Sequence, residues 1–277
     1  MTTPTAVRHP DAADLHGTAE VWLLPESTVD RLAAALDADR LLTTDERARR
    51  DRLLRPDSRR RFVGARLLSR HVLSHYAGLP PAAWQFATGP YGRPEIAGDN
   101  ILDLDFNVSH TEGLITCVVS RHRRTGVDTE RWPARPEAVR LAGRVLSDRE
   151  RRWLDALPEP AQRRLFSGYW VLKEAYTKAL GLGLQRRFDS FEVRDGPAGH
   201  PVPVDPLGGE GGRWQLHLLD VPPAHLVGVA MWRGPAEPVL PVRVRDAARE
   251  LTPGAPPGPR LWTPPVHLPE LGDLIRR

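Results

Sequence analysis

The chain has 277 residues, 40% hydrophobic and 27% charged, with 39 basic and 35 acidic side chains and a net charge of +4. That length allows one large domain or two ordinary ones with a real core, and the single cysteine, Cys117, excludes an intramolecular disulfide or a CxxC metal site. No apolar run reaches bilayer-spanning length, and the first 17 residues lack the apolar stretch of a secretory signal, so the cytoplasm is the expected address.

In chain order, residues 21–24 read as a short opening strand, followed by helical patterns over 28–38, 44–54 and 57–76. The second starts at the capping residues Thr43 and Thr44. In the third, Phe62, Leu67, Leu68, Val72, Leu73 and Tyr76 recur at helical spacing, leaving Arg59, Arg66 and Arg70 as a second stripe. That stripe reads as a phosphate-binding surface or as the solvated basic face of an amphipathic helix. Glycine and proline alternate over 88–94, which marks a turn. Strands follow over 105–109, 113–120 and 126–130. Helices are expected over 137–145, over 147–156 with Ser147 and Glu150 as a capping box, and over 160–181. Strands at 190–194, 214–219 and 226–232 complete the pattern. The order is helices then strands, twice, so each half reads as an α+β unit with an antiparallel sheet. We divide the chain into residues 1–122, 123–233 and a Pro-rich extension, 234–277, expected to be linker-like or loosely docked, with a short helix near 244–251.

The positive charge asks for an anionic partner. Aromatics are only 6% and no finger-like or RNP-like motif is present, which argues against nucleic acid. Only two of the basic residues are lysines, Lys173 and Lys178, with Glu174 between them. On a helix Glu174 and Lys178 share a face, while Lys173 lies about 100° around. The pair is either a solvated ion pair or a carboxylate and an ammonium holding a metal-bound phosphate. Asp128 and Glu130, two apart in a strand, also share a face. They repel unless a cation lies between them, and either an arginine or a hard divalent ion can serve. Glu174 is the candidate third carboxylate. Ser109 and His110 are adjacent in a strand and point to opposite faces, so they cannot form a nucleophile–base dyad. They read either as anion donors at a strand end or as a turn cap.

Four segments in order then carry a resemblance: Tyr91-Gly92-Arg93-Pro94, Phe106-Asn107-Val108-Ser109-His110, Gly126-Val127-Asp128-Thr129-Glu130, and Trp170 followed by Lys173-Glu174-Ala175 and Lys178. Together they resemble the two-domain, Sfp-like 4′-phosphopantetheinyl transferases over residues 20–232. The resemblance implies an α+β fold of two similar subdomains in pseudo-twofold arrangement with the ligand in a cleft between them. It implies transfer of 4′-phosphopantetheine from coenzyme A to a serine of an apo acyl or peptidyl carrier protein, releasing adenosine 3′,5′-bisphosphate. Asp128, Glu130 and Glu174 match the family's Mg²⁺ ligands, and Lys178 its phosphate-binding lysine. Arg93, Ser109, His110 and an arginine such as Arg59 or Arg66 match the coenzyme A pocket. With Asp128, Lys173 is counted toward that pocket too, reaching the cleft edge or else facing solvent. Polyketide, nonribosomal peptide and fatty-acid carriers are all compatible, no membrane or nucleic-acid partner is implied, and a monomer is expected. A non-catalytic coenzyme A or carrier-binding protein on the same fold is the alternative. Thr129 departs from the usual aliphatic residue at its position, and its hydroxyl either reaches the metal shell or faces away.

Overall fold

The computed structural model describes residues 15–98, 100, 102–196, 199–207, 213–234 and 237–251. The expectations for residues 1–14 and 252–277 lie outside that range.

The fold is α+β. Its first sheet has four strands: β1 (Ala19–Pro25), β4 (Leu104–Thr111), β5 (Leu114–Arg121) and β11 (Val242–Asp246), in the order β11-β1-β5-β4. The second has three: β6 (Thr125–Arg131), β9 (Trp214–Val221) and β10 (His225–Trp232), in the order β6-β10-β9. Two short hairpins, β2–β3 (Phe86–Thr88 and Pro94–Ile96) and β7–β8 (Glu192–Asp195 and Pro201–Val204), complete the strands.

Strand alternation sorts side chains into layers. On β1, Trp22 and Leu24 join a core that includes Leu68, Val72 and Leu73 of α4 (Pro56–Ala77). Ala19, Val21 and Leu23 point the other way and pack with Val227, Val229 and Met231 of β10. The opposite face of the second sheet, including Leu216 and Ala230, packs on Leu172, Ala175 and Ala179 of α8 (Glu159–Ala179). The layers are thus α4, first sheet, second sheet, α8. The stripe expected on α4 is buried throughout, from Phe62 to Tyr76. Both expected helix starts are capped: Thr43 and Glu46 box α3 (Thr44–Arg52), and Ser147 and Glu150 box α7 (Asp148–Asp155). Each cap is worth about 1 kcal/mol.

Several expectations need correction. The helix expected over 28–38 is two pieces, α1 (Val29–Ala35) and α2 (Ala38–Leu41), because Asp37 sits at φ 49°, outside the helical region. The helix expected over 137–145 is likewise split into α5 (Pro136–Val139) and α6 (Ala142–Val145). The arginine stripe is solvated only at Arg59: Arg66 is partly buried beside Glu46, and Arg70 is 1% exposed and forms a bidentate pair with Glu46 that ties α3 to α4. The segment after residue 233 is not linker-like in its described part. β11 pairs parallel to β1, so the first sheet is mixed, and α9 (Ala247–Glu250) buries Ala247 in the same core as Trp22. Among the described residues no helix is long and apolar enough to cross a membrane.

Candidate active site

α8 lies almost on the backbone of the second sheet. A Cβ on Gly126 of β6 would stand 2.2 Å from the Ala175 carbonyl oxygen, and one on Gly228 of β10 would stand 2.3 Å from that of Val171. Only glycine permits that approach, and it brings the last two turns of α8 over Asp128, since β6 turns Gly126, Asp128 and Glu130 toward the helix.

Lys178 Nζ lies 2.6 Å from Asp128 Oδ1 and 3.1 Å from Ser109 Oγ. Ser109 in turn donates its hydroxyl to Asp128 Oδ1 at 2.8 Å. Asp128 and Glu174 are both buried, at 4% and 7% exposure. Burial, with Asp128 and Glu130 adding repulsion against the attraction of Lys178, pushes the Glu174 carboxyl up to about 7. Glu130 is raised for the same reasons, burial first and Asp128 next, and it accepts a bond from Thr111 at 3.3 Å. Burial pulls the Lys178 ammonium down, but Asp128, Glu174 and Glu130 together outweigh it and hold it above the ordinary lysine value. One ammonium therefore stands among three carboxylates, and the charge of Asp128 adds to the rise of both Glu130 and Glu174.

Among the described residues no three acidic, histidine or cysteine side chains are arranged to enclose a metal ion. The donor chemistry nevertheless fits one. Asp128 Oδ2 is buried with no hydrogen-bond partner, and the crowded carboxylates supply the hard oxygens that a small divalent cation prefers. Thr129 turns to the opposite face of β6 from Asp128 and Glu130, buried and with its hydroxyl unpaired, so it adds no oxygen on their side.

The remaining candidates separate. Ser109 and His110 lie near the end of β4, which runs on to Thr111 before the turn at Glu112 and Gly113, and the Ser109 hydroxyl goes to Asp128 and not to that turn. His110 is exposed at the surface, yet its packing, then nearby Arg61 and Lys178, hold its imidazole below the usual histidine value. Arg59 is exposed and donates Nε to the Leu53 carbonyl; among the described residues it makes no ion pair. Arg66 pairs with Glu46 at 3.2 Å and stacks on Phe62. Arg93 is 7% exposed, and its two terminal nitrogens donate to Asp105 and to the carbonyls of Phe106, Thr125 and Lys178. Lys173 reaches neither a cleft edge nor solvent. It is fully buried, and its ammonium donates to Glu150 and to the carbonyls of Phe188 and Phe191 at 2.6–2.9 Å. The rotation of about 100° from Glu174 sends it into the core of the second half instead. Beside Glu130 opens a cavity of about 620 Å³, lined by Trp132, Phe166, Trp170, Leu141 and Arg131. Sequence reasoning did not find it, because its aromatics come from a loop and a helix that only folding brings together.

The profile described as the 4′-phosphopantetheinyl transferase superfamily matches residues 124–230, and one described as the N-terminal part of 4′-phosphopantetheinyl transferase matches residues 31–123. The chain is 34% identical to the 4′-phosphopantetheinyl transferase HetI of Nostoc sp. over 64% of its length and 74% of the relative's. It is 31% identical to a 4′-phosphopantetheinyl transferase of Bacillus subtilis over 62% and 76%. A solved holo-(acyl-carrier-protein) synthase of Bacillus anthracis in complex with CoA (3′,5′-ADP) aligns with 39% of this chain and 93% of its own, at 21% identity and a TM-score of 0.30.

Proposed function

The chain belongs to the 4′-phosphopantetheinyl transferase superfamily, and on that premise we propose how its own residues move phosphopantetheine from coenzyme A to a carrier-protein serine. The observation that carries the proposal is the meeting of Asp128, Ser109, Glu174 and Lys178 at the end of α8, where two carboxylates and an ammonium face one buried point.

Attack by the serine oxygen on the β-phosphorus forms one P–O bond, breaks the diphosphate bridge and releases adenosine 3′,5′-bisphosphate. Negative charge grows on the diphosphate oxygens as that bridge breaks. Lys178, kept charged by its carboxylate neighbours, is the side chain suited to meet it. The serine must also lose its proton, and Glu174, with its carboxyl near 7, is suited to accept it directly or through a water. Asp128, Glu130 and Glu174 would hold Mg²⁺, which when bound neutralises the diphosphate and polarises its oxygens. Ser109, whose hydroxyl is given to Asp128, would steady that carboxylate, and the exposed His110 is the donor we assign to the coenzyme A pocket. Of the α4 arginines, Arg59 is the one without a carboxylate partner among the described residues, which supports it over Arg66 as a ligand for the nucleotide's phosphates. The stack of two sheets between α4 and α8 supports a pseudo-twofold pairing of residues 1–122 with 123–233, with the ligand cleft where β4 meets β6. A monomer holding both halves of that cleft would act on acidic carrier domains of polyketide, nonribosomal peptide or fatty-acid synthases.

The test is incubation with coenzyme A, Mg²⁺ and an apo carrier protein, read as the mass gain of phosphopantetheine on the carrier. Glu174→Gln should abolish the gain while coenzyme A still binds. Binding without any gain in the wild-type chain would leave a non-catalytic binder, and full activity of Glu174→Gln would remove the proposed base.

A further inference from the structure

Among the described residues β6 is an edge strand of its sheet, paired with β10 alone. Every second N–H of such a strand faces away from its one ladder partner and needs another acceptor. Three of them find it on β4. Thr125 N donates to Asp105 Oδ2 at 2.7 Å, Val127 N to Asn107 Oδ1 at 3.0 Å, and Thr129 N to Ser109 Oγ at 3.4 Å. Residues two apart on one strand thus serve residues two apart on the other, with a constant offset. The two sheets are joined by side chains where a continuous sheet would use backbone. A directly paired strand would stand about 4.8 Å away; a layer of side chains between backbones holds β4 and β6 farther apart.

The two ends of this seam are tied to other things. At one end Asp105 is held by Arg93, which also bonds the Thr125 and Lys178 carbonyls. At the other, Ser109 is shared with Asp128 and Lys178. Asn107 lies in the middle, 4% exposed, and is placed at no reacting group. Its acceptor holds the amide of Val127, the residue immediately before Asp128. We infer that Asn107 is a positioning residue for the transfer reaction. Its carbonyl oxygen fixes β6 against β4 at the height where Asp128 meets Ser109 and Lys178. The inference rests on the transferase reading above and adds to it a determinant outside the reacting groups.

Asn107→Leu keeps the branched shape in a larger side chain and removes the acceptor, whereas Asn107→Asp keeps an oxygen in place. With the carrier-loading assay, Asn107→Leu should lower kcat about 10- to 100-fold while the Kd of coenzyme A stays within about threefold, the size expected when a site is loosened but not emptied. Asn107→Asp should hold kcat within about threefold of wild type. Three results overturn the inference: kcat of Asn107→Leu within twofold of wild type despite a lower urea midpoint, a loss of coenzyme A affinity that accounts for the whole loss of kcat/KM, or an Asn107→Asp variant as impaired as the leucine. If the leucine variant is insoluble, Asn107→Asp decides alone: retained kcat supports the acceptor role and its loss overturns it. A wild-type chain that loads no carrier defeats the transferase reading itself, and the inference with it.

Discussion

Lys173 and Lys178 share one helix and a chemistry, yet burial gives them opposite tasks. Lys173 is closed off from solvent, its ammonium donates hydrogen bonds to Glu150 and two carbonyls, and the Phe191 ring lies 4.8 Å from its nitrogen. Removing one partner of such a pair strands the other charge, a cost of about 3–5 kcal/mol. Lys173→Met should therefore lower stability by that order in urea unfolding, while kcat per folded molecule stays close to wild type. Lys178 keeps 25% of its side chain exposed and faces three carboxylates. Lys178→Met should do the reverse: a smaller loss of stability, since water reaches the partly exposed lysine side of its pair with Asp128, and a fall in kcat of about 10²–10³, the size seen when a charge-stabilising donor is removed. Equal stability losses in the two variants would show that exposure does not separate their roles.

At the scale of elements, the closeness of α8 to its sheet depends on two glycines and not on the helix's own sequence. Gly228→Ala must displace the Val171 carbonyl or the strand, an overpacking cost of about 1–3 kcal/mol or more. It should also lower kcat, because α8 carries Glu174 and Lys178 with it. Gly168 of the same helix is the control. There a Cβ meets only Leu218 at 3.6 Å, ordinary contact, so Gly168→Ala should raise stability by about 0.5–1 kcal/mol through reduced freedom of the unfolded chain. Thermal unfolding of the pair should therefore move in opposite directions. These glycines also mark what was legible in the sequence. Local signals were sufficient for α4, α8, the cap at Thr43 and the capping box at Ser147 and Glu150, because periodicity and caps lie within a few residues of what they specify. The strands β2, β3, β8 and β11 were missed, since each is short and stabilised by a partner distant in sequence or hidden beside glycine and proline. The carboxylates and Lys178 stood out by spacing and resemblance. The buried fate of Lys173, the seam at Asn107 and the enclosure of Arg93 did not, because they depend on how two sheets and two helices are stacked.

For the whole molecule, the described extension closes the first sheet. Glu20 of β1 is 2% exposed and lies 3.5 Å from Arg245 and 3.7 Å from Arg243 of β11, while Arg245 also stacks on Trp22. Truncation after residue 233 would uncover the β1 edge and leave Glu20 with Tyr76 as its remaining partner. We expect the truncated chain to aggregate or unfold several degrees earlier than the full one; an unchanged Tm would mean that β11 is dispensable. The response to acid is also shared by both halves. Burial, then Arg70, holds His71 on α4 down at about 4, and burial, then His200, holds His217 on β9 down at about 3. An unfolded histidine titrates near 6.5, so below that pH the unfolded chain binds protons that the folded chain refuses. The stability these neutral rings confer is complete above pH 6.5 and is lost as pH falls toward 4 and 3, at up to about 1.4 kcal/mol per pH unit for each ring. Glu174 acts with the opposite sign: its raised carboxyl takes up a proton in the folded chain as pH falls through about 7, recovering stability on the way down. The net curve of the wild type therefore understates the histidines, and the comparison must be made between variants. In metal-free buffer, the stability lost between pH 7.5 and 5 should be smaller in His217→Gln than in wild type by about 1–2 kcal/mol, while Glu174→Gln should lose more than wild type over the same interval. Parallel curves for wild type and His217→Gln would mean that this ring is protonated as easily in the folded chain as in the unfolded one.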